Sequence, residues 1–157
     1  MSFEIKSATQ DDLSAVRQFL QPFMDAKHLL QRTSADIQLL LRHGFKAEST
    51  DDGSIVGFCA LEIYSMKLAE IQCLAVAESH QRKGIGRRLV NECVRRAKEE
   101  KVLELLAISS SEPMFKACGF DYSLPNQKRA FFYQTQNDVD SNDNSATDTN
   151  DANSPKS

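Results

Sequence analysis

A chain of 157 residues, 41% hydrophobic and 26% charged, is long enough for one domain with a core of its own. Its net charge of −3 originates at the end of the chain, where residues 137–157 hold five Asp and one Lys and leave 18 basic against 17 acidic residues before them. A near-neutral folded part without a broad basic face argues against nucleic acid as a partner, and no apolar run approaches the ~20 residues a membrane span needs.

The opening residues carry no charged-then-apolar signal, and Cys59, Cys73, Cys93 and Cys118 form no CxxC and lie in apolar segments. Both features fit a cytoplasmic protein with reduced, packed thiols rather than a disulfide frame or a zinc site.

Taken in order, Phe3 to Lys6 alternates and predicts a first strand, and Thr9-Gln10-Asp11-Asp12 opens a helix with acids at its positive end. Leu13, Val16, Phe19 and Leu20 give that helix its apolar face; Pro22 weakens it, and residues 23–32 read equally as loop or as a second short helix. Thr33 or Ser34 caps the next helix, with Ile37, Leu40 and Leu41 on one face and Gly44 as the stop. The period then changes to two. Phe45 to Ser49 and Ile55 to Tyr64 read as strands around an Asp51-Asp52-Gly53 hairpin turn, with Gly57 as a bulge or close approach. After a turn at 65–67, the apolar run Leu68 to Val76 reads as a central strand closing an antiparallel meander.

Gln81-Arg82-Lys83-Gly84-Ile85-Gly86 follows at once, and behind it a helix carries Ile85, Leu89, Cys93 and Ala97 four apart, with Glu92 and Arg96 spaced to pair on its outer face. Glycines in such a loop let several N–H groups converge on one ligand; the helix adds its positive end, and Arg82, Lys83, Arg87 and Arg88 add full charges. The loop reads as an anion cradle that would suit a pyrophosphate. Val102 to Ile108 predicts a fifth strand, parallel to the one ending at Val76 because a helix intervenes. Pro113 starts a short helix stopped by Gly119, and residues 120–123 with 129–135 can close the sheet as a last strand pair. The domain is expected to span residues 1–136. Residues 137–157, rich in Asp, Asn, Ser and Thr, read as a disordered acidic tail.

A Walker loop needs Gly-Lys-Ser/Thr and a dinucleotide fingerprint needs a third glycine where this chain has Leu89, so neither fits. Gln81-x-x-Gly84-x-Gly86 after Leu74-Ala75-Val76 instead resembles the acyl-CoA signature of the GCN5-related N-acetyltransferase (GNAT) family, over roughly residues 3 to 135. The resemblance implies an α/β (α+β) fold: a mixed, mostly antiparallel sheet of six to seven strands flanked by helices, whose parallel fourth and fifth strands splay around the cofactor. It implies acetyl-CoA, with backbone N–H groups from Arg82 through Lys83, Gly84, Ile85 and Gly86 to Arg87 on the pyrophosphate, Gln81 beside them, and Leu74, Ala75 and Val76 along the pantetheine arm.

Acetyl transfer to an amine needs a base, because an alkyl ammonium is almost wholly charged at neutral pH. Glu70 is the candidate: it stands in an otherwise apolar strand, where desolvation pushes a carboxyl toward a useful base range. Strict alternation places it on the side of Gln72, Leu74 and Val76, and a bulge would change that parity. Phe115 occupies the position where the family often carries a tyrosine acid, so the general acid stays open among backbone donors, water and Ser109 to Ser111, with Tyr122 and Tyr133 as weaker candidates. Cys73 or Cys118 as an acetylated nucleophile lacks an activating histidine.

Residues 29–34, the helix to His43, residues 45–48, 69–71 and 74–76, Phe115 in place of tyrosine, and the Leu124-Pro125 element before Lys128 are similar to the acetyltransferase domain of N-acetylglutamate synthases, especially the short forms. That likeness implies an amino-acid acceptor, glutamate first, with Arg32 on one carboxylate and Lys128, or Arg129, on a second. The alternatives are a protein N-terminus, a polyamine, a drug-like amine, or a non-catalytic acyl-CoA-binding module. Assembly is left open, a homodimer included.

Overall fold

Three segments of period-two alternation, linked by tight turns, build a meander that a helix-led crossover then extends. The computed structural model describes residues 2–122, 131–133 and 135. Strands β1 (Phe3–Ser7), β2 (Gly44–Ser49), β3 (Ile55–Ile63) and β4 (Leu68–Val76) run antiparallel in spatial order, and β5 (Glu104–Leu106) adds to β4 in parallel. The described residues therefore form a five-stranded sheet, where six to seven strands were expected. Phe120, Asp121 and Tyr122 are irregular, 131–133 are not in a strand, and most of the expected last pair lies outside the described residues.

Helix α3 (Ile85–Glu99) lies on one face of the sheet, with Ile85, Leu89, Val90, Cys93 and Ala97 packed against Phe45, Ala47, Cys59 and Leu61. Helices α1 (Leu13–Asp25) and α2 (Ser34–Leu40) cover the other, with Val16, Leu20, Met24, Ile37 and Leu40 packed against Phe58, Ala60, Cys73 and Ala75. A last short helix, α4 (Glu112–Ala117), starts at Glu112-Pro113 and ends before Gly119, whose φ of +91° suits a residue without a Cβ.

Several local expectations need correction. Pro22, expected to weaken α1, lies inside its last turns, and of the undecided stretch 23–32 the residues to Asp25 belong to the helix, which stops where Lys27 adopts φ +59° and the His28 N–H bonds back to the Phe23 carbonyl. Gly44 is not the stop of α2, because a 3₁₀ turn at Leu41–His43 already ends it; Gly44 is extended, and a Cβ there would lie 3.1 Å from the Phe58 ring. Glu92 pairs with Arg95 at 2.7 Å rather than with Arg96, whose guanidinium sits 5.2 Å over the Phe45 ring and donates to His43 Nδ1. The fifth strand is three residues long, not seven.

Gly57 combines both of its expected roles. The register slips beside it, between Ala47 and Glu48, and a Cβ at Gly57 would lie 2.8 Å from Ile85 Cγ2 and 3.0 Å from Leu89 Cδ1. Gly57→Ala is expected to destabilise the fold by about 1–3 kcal/mol through overpacking, seen as a lower denaturation midpoint with an unchanged slope. An unchanged midpoint would show that α3 yields freely at its first turn.

Candidate functional site

Parallel pairing between β4 and β5 is confined to Leu68 with Glu104, Ala69 with Leu105, and Glu70 with Leu106. From Ile71 to Val76, β4 has no strand partner on that side among the described residues, and a cleft of about 970 Å³ opens there. Glu70, Gln72 and Leu74 to Val76 line it from β4, Gln81 and Gly86 from the loop and α3, Leu29, Leu30 and Arg32 from the α1–α2 connection, and Ser109, Ser111 and Phe115 from the far wall.

At one end stands the glycine loop. Arg82 and Gly84 have φ of +61° and +79°, and the space beside Gly84 is open, with no atom within 4 Å of where a Cβ would be. The N–H groups of Arg82, Gly84, Ile85, Gly86 and Arg87 find no backbone or side-chain acceptor among the described residues, and the first intrahelical bond runs from Arg88 to the Gly84 carbonyl. Consecutive free donors at the start of a 15-residue helix can hold an anion. Gln81 donates to the Val76 carbonyl at 3.3 Å and so ties the loop to the end of β4. The side chain of Ile85 is buried in the core, so only its backbone faces the loop.

At the other end, β3 and β4 set Glu62 directly opposite Glu70. Two like charges in cross-strand register repel, and a phenol stands with them: Tyr64 donates to Glu70 Oε2 at 2.5 Å and lies 3.3 Å from Glu62 Oε2. Burial, then its bond to Glu70, pushes the Tyr64 hydroxyl up to about 12. Gln72 Nε2 donates to the same hydroxyl, and Gln72 Oε1 accepts from Arg32 Nη2 at 2.7 Å. Arg32 Nε is buried with no hydrogen-bond partner. Arg32 is held from behind by its own N–H on Met24 Sδ and by the Thr33–Asp36 capping box that follows.

Strict alternation along β4 fails. Cys73 takes φ +54°, and two residues of β4, Cys73 and Leu74, oppose Cys59 alone on β3. Ala69 and Ile71 pack toward α3 and Cys73 and Ala75 toward α1 and α2. Glu70 and Gln72 thus face the α1–α2 side, whereas Leu74 and Val76 pack on the α3 side.

Of the residues expected at a site, Arg32, Glu70, Leu74, Ala75, Val76, Gln81 and Gly86 line one cleft; Arg82, Lys83, Gly84, Ile85 and Arg87 form the loop at its end; Lys128 lies outside the described residues. Tyr64 and Glu62 were not expected. Their signal was present in the hairpin, since a turn centred on Met66 brings 62 opposite 70. Burial raises both the Cys73 and Cys118 thiols, which works against either as a nucleophile.

A profile described as the acetyltransferase (GNAT) family matches residues 13–120. The uncharacterized N-acetyltransferase CT2212 of Chlorobaculum tepidum is 33% identical over 116 residues, 74% of either chain. Rv2747 from Mycobacterium tuberculosis, solved in complex with CoA and NLQ, superposes with a TM-score of 0.70 at 23% identity, over 77% of this chain and 73% of that one. N-acetylglutamate synthase from Neisseria gonorrhoeae, complexed with coenzyme A and N-acetyl-glutamate, gives 0.64 at 24% identity, over 74% of this chain and 27% of that one. At these identities the two structures establish a shared fold.

Proposed function

The chain belongs to the GNAT acetyltransferase family, and from that premise we propose that it moves the acetyl group of acetyl-CoA directly to the amine of a small amino acid, glutamate first, with Glu70 as general base. The observation that carries the proposal is the junction of two chemistries in one cleft: Gly86 and Gln81 of the glycine loop and Glu70 line the same space.

When bound, acetyl-CoA supplies an activated acyl carbon; the rest falls to the chain. The N–H groups of Arg82 through Arg87 would hold the pyrophosphate, and the unpaired length of β4 from Leu74 to Val76 would align the peptide-like arm. Glu70 would accept the proton that an ammonium must lose before its nitrogen can attack. Arg32, one guanidinium edge on Gln72 and Nε unengaged, would pair with the acceptor's carboxylate. Lys128 is assigned the second carboxylate on the sequence likeness alone. The domain is assigned residues 1–136 and the tail 137–157 on the same footing.

The Glu62–Glu70 register favours a second reading, because paired carboxylates suit an acceptor with more than one positive charge. Thiol release on a panel of amines decides. Turnover confined to α-amino acids, strongest with glutamate and lost in Arg32→Ala, is the expected result. Preference for polyamines would establish the second reading, and tight acetyl-CoA binding without turnover on any amine would overturn both.

A further inference from the structure

We infer that Tyr64 is a positioning residue for the proton-transfer step: its hydroxyl commits its single proton to Glu70 and so decides which of the two facing glutamates serves the acceptor. The inference rests on Glu70 being the base, and it assigns a task to a residue outside the glycine loop and the acceptor contacts.

Three facts lead there. Glu62 and Glu70 stand in register across the β3–β4 pair, so neither is distinguished by the sheet alone. Tyr64, in the turn that joins those strands, is 2.5 Å from Glu70 and 3.3 Å from Glu62, and a phenol has one proton to donate. The hydroxyl is itself aimed, because Gln72 Nε2 donates to it from the same side, and Gln72 is fixed in turn by Arg32. A chain of donors runs from Arg32 through Gln72 and Tyr64 and ends on Glu70.

The charged and titratable groups facing this cluster are Glu62 from β3, Arg32 from the α1–α2 connection, and Cys73 on β4 itself; the far wall contributes Ile108, Ser109, Ser111, Met114 and Phe115, which carry no charge. With Glu62 opposite, an ionised Glu70 is opposed by a like charge, and the phenolic donor offsets it. Glu70 is thereby held in one orientation. Tyr64 remains 52% exposed, so the cluster stands at the edge of solvent.

The test is a KM-against-kcat split in Tyr64→Phe, which keeps the ring and deletes the donor. With Glu70 no longer held, kcat with the preferred amine falls about 10-fold or more, the loss of one hydrogen bond to a charged group, while the KM for acetyl-CoA stays as in the parent. An unchanged kcat, or a KM for acetyl-CoA that rises in step with the loss of kcat, overturns the positioning role. In a Glu70→Gln background the same change is expected to do nothing further. If Glu70→Gln alone retains full activity, the base assignment fails; if it is inactive while Tyr64→Phe leaves kcat in place, the base assignment stands and the role of Tyr64 fails.

Discussion

Glu70→Gln lowers kcat by roughly 100- to 10,000-fold, the range general acid–base catalysis contributes, and leaves acetyl-CoA affinity unchanged. The substitution is nearly isosteric. The amide oxygen can still accept from Tyr64, so the cluster keeps its geometry and only the capacity to take a proton is lost. Stopped-flow or steady-state thiol release with the preferred amine measures the first effect, and calorimetric titration with acetyl-CoA the second. An unaltered rate would remove Glu70 from the reaction and turn attention to Glu62, which shares its face and register.

Gly86→Val weakens acetyl-CoA binding by about 100-fold or more, because a side chain over the loop forces the pyrophosphate away from donors whose bonds to a charged group are each worth ~1.5–3 kcal/mol. Gly86 is a cleaner target than Gly84. At Gly84 the φ of +79° strains any residue with a Cβ, so lost binding there would mix a broken turn with a filled cradle. At Gly86 a Cβ meets only Val76 Cγ2, at an ordinary 3.7 Å, so the helix is expected to keep its melting behaviour while the ligand is excluded. Unchanged CoA affinity in a folded Gly86→Val protein would contradict the cradle.

Much of this arrangement was legible in the chain, because the strands carry their own signal. The alternation in Phe45 to Ser49 and Ile55 to Ile63, the Asp-Asp-Gly turn and the stripe of Ile85, Leu89 and Cys93 each encode one element. What escaped depends on contacts between elements. Arg96 leaves its expected partner because Phe45, at the start of a distant strand, offers a ring face and His43, in the turn before that strand, a nitrogen. The residues from Val102 to Ile108 look like one strand, yet only three pair, since the separation of β4 from β5 is a property of the sheet and not of either segment. Nor does a cysteine announce a left-handed backbone, so Cys73 gave no sign of its φ. Tyr64 is of another kind: counting residues across the hairpin is enough to set it beside Glu62 and Glu70.

The bulge at Cys73 decides which way the side chains at the end of β4 face. Leu74 and Val76 pack their side chains on the α3 side and Ala75 on the α1–α2 side, and the side each one faces depends on the single extra residue before it. Without the bulge and with every residue kept, unbroken pleating would bring Leu74 and Val76 round to the face that carries Glu70 and Gln72. The loop anchored to Val76 by Gln81 would swing with it. This strand therefore works as a two-sided key whose cuts change sides at one notch.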